Sequence, residues 1–423
     1  IAGMTAALEL ANQGYQVYLV EKENELGGLL KQKRYILGTE DPQVYLKKYI
    51  EQVNNNDKIK VLKNTKIEDI QGYIGNFSIS VDTEGEKTQF KVGAIIVATG
   101  GKEYEPKEYL YGEDERIITQ QELEQKIYND EIDPKIVVMI QCVGSRNEEN
   151  PFCSRVCCSQ ATKNALRLKE KHPNTKIFIL FRDIRTYGFK EDYYREARLK
   201  GVIFIRYEPE SPPQVFKEDG KVAVSIFDPI IKRRFLILPD IVGLSAAFVA
   251  GDNKELSQML KVPLDHTGFF LEAHVKLRPL DFATDGIFLC GAAQSPKLIN
   301  ESISQATGAA ARASTILSKE KIKVMSPVAV IDQDICIGCG KCRELCVYEA
   351  IDKEETVKEF KNIRLSLNPS ISISRFKSKV LPAVCKGCGA CVGVCPVGAL
   401  TLKHFTNKQL DMMVKSYLEG VQV

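Results

Sequence analysis

Two runs of cysteine constrain this chain more than any other feature in it. Cys336, Cys339, Cys342 and Cys346 lie in "CIGCGKCRELC", and Cys385, Cys388, Cys391 and Cys395 in "CKGCGACVGVC"; both follow C-x2-C-x2-C-x3-C. Three thiolates at that interval wrap one face of a cubane, and the fourth ligand comes from the opposite run. The spacing therefore predicts one [4Fe–4S] cluster on Cys336, Cys339, Cys342 and Cys395, and a second on Cys385, Cys388, Cys391 and Cys346. Gly338 and Gly387 permit the tight turns that aim backbone N–H groups at sulfide. Pro396 follows the second run, whereas Val347 stands at that place in the first. Zinc would need paired C-x2-C knuckles and would leave the third and fourth cysteine of each run without a role. Residues 329–423 thus read as an α+β, bacterial-type two-cluster ferredoxin. It carries a polar insert, Lys353–Lys379, and a C-terminal helix whose apolar stripe (Leu410, Met413, Val414, Tyr417, Leu418) suits capping the ferredoxin or meeting a partner.

The rest of the chain is long enough for two further cores: 423 residues, 44% hydrophobic. A formal charge of +3 without a dense basic patch gives no sign of nucleic-acid binding. No apolar run is long enough to span a bilayer. Thirteen cysteines at two- and three-residue intervals, without a secretory leader, point to metal ligation in a reducing, cytoplasmic compartment rather than to disulfides. The four histidines, His172, His266, His274 and His404, form no pair at ligand spacing. The chain starts inside a motif, so its true N-terminus is expected to lie upstream.

That opening motif is "IAGMTAALELANQGYQVYLVE", in which Gly3, Ala7 and Gly14 precede a strand ending at Glu21. It is the back end of a βαβ unit whose G-x-G-x-x-G has lost its first two glycines. Gly3 lets the helix approach the first strand, the helix N-terminus faces a pyrophosphate, and Glu21 is placed to bind a ribose. Further along come Lys22, the pair Gly27-Gly28 with Leu29, the strand "AIIVATGG" ending in Thr99-Gly100, and "TDGIFLCGAAQSP" ending in Gly291. The set resembles the flavoprotein family of thioredoxin reductase and glutathione reductase, in which these elements surround FAD. The resemblance implies that Glu21 holds the adenosine ribose, that Gly27 and Gly28 lie toward the flavin, and that Gly291 lies beside the ribityl chain. Ala292 departs from the acidic residue usual after that glycine. The fold class expected is α/β, with two Rossmann-like dinucleotide-binding domains followed by the ferredoxin. The domains expected are 1–134, the first part of the FAD-binding domain; 135–270, the second Rossmann-like domain; 271–318, the FAD-binding return segment; 319–328, a linker; and 329–423.

The second nucleotide-binding unit breaks its own pattern. A buried strand, Ile136–Ile140, leads into "QCVGSRNEENPFCSRVCC", which has one glycine at the turn and four cysteines, Cys142, Cys153, Cys157 and Cys158. Without the glycines a pyrophosphate cannot approach the backbone, so ordinary NAD(P)H binding is not expected there. The thiols by themselves fit inert packing, a redox dithiol, a four-thiolate cluster or zinc. Cys290, on "GIFLC", reads as a packed core thiol.

Taken together, the flavin fold, "QCVGSRNEENPFCSRVCCSQATKNA", "VKLRPLDFATDGIFLCGAAQSPK", the two-cluster ferredoxin and "HFTNKQL" resemble the family of heterodisulfide reductase A subunits over essentially the whole chain. The resemblance implies an FAD and iron–sulfur electron-transfer component, active only within a complex. There it would split electron pairs from a hydrogenase or formate dehydrogenase type of donor between ferredoxin and a disulfide reductase subunit, with a homodimer as the expected core of the assembly. It also implies a third [4Fe–4S] on Cys142, Cys153, Cys157 and Cys158. Lys163, five residues past Cys158, is a candidate for approaching the flavin, against the plainer reading of a surface lysine. Two alternatives stand beside this one: an NAD(P)H-dependent flavin reductase fused to a ferredoxin, and a pure electron-transfer adaptor.

Overall fold

A computed structural model describes residues 1–38, 41–322, 328–365 and 368–419. The chain divides into two compact units, Ile1–Lys319 and Glu320–Val423.

Alanine builds the floor of the first unit. Helix Ala2–Asn12 buries Ala2, Ala6, Ala7 and Ala11, and helix Ile299–Leu317 buries Ala306, Ala309, Ala310 and Ala313. Ala2, Ala6 and the four alanines of the second helix share one core with Leu10, Phe288 and Cys290. Such small side chains allow the two helix backbones a close approach. Beside the helices lie two parallel strand pairs, Val17–Val20 with Ile59–Leu62 and Ile95–Val97 with Ile287–Leu289. An antiparallel meander, Thr65–Tyr73, Asn76–Thr83 and Glu86–Val92, covers a third core through Ile70, Phe77, Ile79 and Val81.

A five-stranded parallel sheet forms the other lobe. Its order is Ile203–Arg206, Lys176–Phe181, Ile136–Val143, Ile241–Ala246, Ile117–Thr119. Met139 and Ile140 are completely buried on its central strand, as a sheet covered on both faces requires. This sheet starts ahead of the boundary expected at 135 and closes before the one expected at 270. Ile117–Thr119 joins its edge, and Thr119 at once N-caps helix Gln120–Tyr128 in a capping box with Glu122. Three residues are too few to show a strand period, which is why the sequence concealed them. The lobes are joined by an antiparallel pair, Gly101–Glu103 with Phe248–Ala250.

In the second unit, Ala329–Ile331 pairs antiparallel with Leu400–Leu402, and short helices Lys341–Leu345 and Ala390–Val394 carry the third cysteine of each run. The insert at Lys353–Lys379 is a long hairpin, Ile351–Leu365 against Asn368–Val380, in register from Ile351 opposite Val380. Helix Asn407–Glu419 buries none of its residues, so its stripe does not cap the ferredoxin core. Of the linker expected at 319–328, residues 323–327 lie outside the described residues.

The alanine contact gives a stability test. Ala310→Leu forces a larger side chain into a fully buried site and should cost about 1–3 kcal/mol. It is expected to lower the Tm of the first unit, read by calorimetry, while the transition of the ferredoxin unit stays unmoved.

Candidate cofactor sites

A cavity of about 2060 Å³ runs along the first unit. It exceeds a usual ligand pocket because it also extends between the two strand pairs, past Val17, Leu19, Ile96 and Ala313. Gly3, Glu21, Lys22, Gly27, Gly28, Leu29, Thr99 and Gly100 all line it. Gly27 (φ 124°) and Gly28 (φ 54°) turn the chain in left-handed backbone. At Gly3 neither φ nor packing requires glycine: a Cβ there would stand 3.5 Å from Ala98 Cβ and 3.6 Å from Leu19 Cδ1, ordinary contact. Gly3 itself lines the cavity beside the start of helix Ala2–Asn12. A dinucleotide needs that space for its pyrophosphate, so the residues present fit FAD. The Glu21 carboxylate accepts the Glu23 N–H at 3.1 Å, and the Lys22 side chain is 82% exposed.

Gly291 stands apart from this set. It does not line the cavity; its neighbour Ala292 does. Gly291 has φ 68°, its N–H donates to Gln305 Oε1 at 3.0 Å, and a Cβ there would meet Ala2 Cβ at 2.7 Å. Its glycine serves the packing of the strand end on the first helix. Polar groups the sequence left unremarked line the cavity instead. Asn253 accepts from Thr99 Oγ1 at 3.3 Å and donates to the Gly268 carbonyl at 2.9 Å. Lys297 donates to Ser295 Oγ at 2.7 Å, and burial lowers its pKa to about 8.

Lys163 is not a surface lysine. Its side chain is 7% exposed, lines the cavity, and pairs at 2.5 Å with the fully buried Glu124 carboxylate. Glu124 in turn accepts the N–H groups of Arg34 (2.6 Å) and Tyr35 (3.0 Å), which follow the Gly27-Gly28 turn. Burial lowers the Lys163 pKa to about 8 against the upward pull of Glu124. No periodicity signals such a pair, because its partners lie on different elements.

Cys142, next to last on the central strand, has φ 66°, and Cys157 and Cys158 open helix Cys157–Lys171, both buried. The four thiols of this segment act on one another: Cys142, Cys153 and Cys158 all raise the pKa of Cys157, foremost through the Cys157–Cys158 hydrogen bond. Burial pushes Cys142 up to about 11. The hydrogen bond from Cys157 lowers Cys158 in turn, so the group favours charge on one sulfur and disfavours it on its neighbours, and a metal centre would offset thiolate charge gathered there. Arg155, also at positive φ, ties the segment to the start of helix Ile299–Leu317, reaching Glu301 Oε1 at 2.6 Å and the Pro296 carbonyl at 3.3 Å. The lone turn glycine, Gly144, makes room for a side chain rather than for phosphate. Its missing Cβ would stand 2.2 Å from Tyr104 Cδ1.

In the ferredoxin unit, Cys336, Cys339, Cys342 and Cys395 line one small cavity, the crossed set that the spacing predicts. Cys391 is surrounded by Cys385, Cys388, Cys342 and Cys346, and burial foremost raises it to about 11. The two runs repeat their turn geometry, with Gly338 and Gly340 at φ 73° and 80°, and Gly387 and Gly389 at 65° and 80°. Among the described residues no three His, Cys, Asp or Glu side chains close on a single bare ion; in a cubane each thiolate meets its own iron, so the sulfurs stand wider.

The model of the pyridine nucleotide-disulphide oxidoreductase family matches residues 1–139, and that of the 4Fe-4S dicluster domain matches residues 335–399. Thioredoxin reductase of T. acidophilum shares the fold at 17% identity, TM-score 0.53, over 75% of this chain and 96% of its own. Fold and sites define an iron–sulfur flavoprotein oxidoreductase, binding FAD in the first unit and [4Fe–4S] in the second. The CoB–CoM heterodisulfide reductase iron-sulfur A subunit 2 of Methanopyrus kandleri is 32% identical over 84% of this chain and 69% of its own. The A subunit of the H(2):CoB-CoM heterodisulfide,ferredoxin reductase of Methanothermobacter marburgensis is 31% identical over 84% and 68%. The chain belongs to the family of heterodisulfide reductase A subunits. Among the described residues no helix is long and apolar enough to cross a membrane.

The buried lysine sets a pH test. Its folded pKa, about 8, lies below the ordinary 10.5, so between those values the unfolded chain holds more protons. Stability should therefore rise with pH across that window. Replacing the pair with Lys163→Met and Glu124→Gln should flatten that rise, read as urea midpoints at about pH 7.5, 9 and 10.5.

Proposed function

We propose that this chain is the flavin-centred, electron-bifurcating hub of a heterodisulfide reductase-type complex. It would connect a hydrogenase or formate dehydrogenase type of donor with ferredoxin and a disulfide reductase subunit. Bound FAD supplies the exchange between two-electron and one-electron chemistry, and cubane clusters supply single-electron transfer. The observation that carries the reading is the exchange at the second nucleotide turn, where Tyr104 fills the space beside Gly144 and four cysteines gather at the strand end. The names of the two relatives, one from a heterodisulfide reductase and the other linked to H(2) and ferredoxin, support it.

Each residue has a role in this reading. Gly3 and the helix start receive the pyrophosphate, Glu21 the adenosine ribose, and Lys22 offers a charge at the outer rim. Gly27, Gly28, Leu29, Thr99 and Gly100 border the flavin half, and Gly291 acts through packing while Ala292 faces the cavity. Cys142, Cys153, Cys157 and Cys158 hold a third [4Fe–4S]. The ferredoxin clusters are held by Cys336, Cys339, Cys342 and Cys395, and by Cys385, Cys388, Cys391 and Cys346. Lys163 is the candidate for holding a proton or a charge beside the flavin, with Glu124 fixing its amine. A homodimeric core and a reducing, cytoplasmic setting accompany the reading.

Anaerobically purified protein should hold about 12 iron atoms per chain, three cubanes. Cys153→Ala should remove about four of them and spare the ferredoxin clusters. About eight in the unmodified chain would confine clusters to the second unit. NADPH alone should leave the flavin oxidised; rapid bleaching in a stopped-flow trace would favour the fused flavin reductase. Loss of tightly bound FAD from otherwise intact protein would leave only the adaptor.

A further inference from the structure

The two halves of the ferredoxin unit repeat each other, yet one matched position differs in chemistry. Ala329 precedes Cys336, and Ser378 precedes Cys385, by the same seven residues. Both are buried, at 3% and 6% exposure. Ala329 opens strand Ala329–Ile331, and Ser378 lies near the end of strand Asn368–Val380. Each faces the cysteines of the opposite run. Ser378 lines the cavity of Cys336, Cys339, Cys342 and Cys395, with its Oγ 3.4 Å from Cys342 Sγ. Ala329 donates its backbone N–H to Cys385 Sγ at 3.5 Å and has only a methyl to offer besides.

One backbone contact repeats in both halves. Ala350 N–H donates to Cys346 Sγ at 3.3 Å, and Ala399 N–H donates to Cys395 Sγ at 3.2 Å. A cysteine bound to iron carries no proton, so at the Cys342 contact the donor must be the serine hydroxyl. Reduction adds negative charge that spreads onto the ligand sulfurs, and a donor aimed at one of them stabilises the reduced form.

We propose that Ser378 donates a hydrogen bond to Cys342 Sγ and raises the reduction potential of the cluster on Cys336, Cys339, Cys342 and Cys395 above what an alanine at that position would give. The inference rests on the ligand sets of the proposed function. The hairpin thus does more than separate the runs. Its return strand brings the hydroxyl to the cluster, and Gln333 Nε2 anchors that strand on the Ser378 carbonyl at 2.9 Å.

The test is a potentiometric titration followed by EPR on the full chain with its FAD and clusters, with iron and sulfide counted in every sample. Ser378→Ala should lower one of the two ferredoxin steps by up to about tenfold in electron partition, ~59 mV for a single electron. Ala329→Ser should raise the other step. The idea is overturned if both steps stay put in S378A at full iron content, or if the two substitutions move the same step. Should S378A lose iron, A329S decides alone: no raised step means the hydroxyl has no such effect. An unmodified chain with less iron than two cubanes in the second unit would instead remove the ligand sets themselves.

Discussion

Thiolate charge cannot be buried unaided. A buried thiol loses hydration on ionising, and neighbouring thiols repel the charge further, which is why burial lifts Cys142 and Cys391 to about 11. Twelve of the thirteen cysteines nevertheless lie in three such groups, and Cys290 alone is a solitary, fully buried thiol. The local folds of both units follow from this. Left-handed glycines turn the ferredoxin loops, left-handed Cys142 and Arg155 turn the other segment, and backbone N–H groups point at sulfur. Metal binding and folding are therefore one process in the second unit, whose core includes Cys342 and Cys391 beside Ala329, Ile351 and Leu400.

The first unit solves a different problem, holding a long anionic ligand against backbone. It does so with small residues. Alanines bring two helices together, Gly3 leaves the helix start bare, and Gly27 and Gly28 bend the chain beneath the cavity. Charged side chains line the cavity as well, Glu21 and Lys22 among them. Lys163 and Lys297 both line it, and burial lowers both amines toward neutrality. Both amines are thereby held below the ordinary lysine range where they border the cavity.

Legibility in the sequence followed the range of the interaction. The cysteine runs were readable because their ligand spacing is local, and the crossed set at Cys395 followed from cubane geometry. The helices and buried strands of the first unit were readable from period and small residues. Gly291 was misleading because a glycine ending a strand looks alike whether it meets a ligand or, as here, Ala2. Lys163 was misleading because its partner Glu124 lies on another helix, and charge in sequence normally means solvent. The hairpin insert held part of its signal in plain view: "SISIS" at 370–374 alternates, a strand period that a count of polar residues hides. Ile117–Thr119 held none, since three residues have no period.

Tyr104 stands directly after Gly101–Glu103, the strand that joins the two lobes, and its N–H donates to the Ala247 carbonyl at 2.8 Å beside the returning strand. The ring that fills the Gly144 turn is thus mounted on the hinge itself. Swivelling one lobe about that hinge would drag the ring out and open a void against the cysteine segment. The connector thus acts as its own latch on the angle between the two lobes.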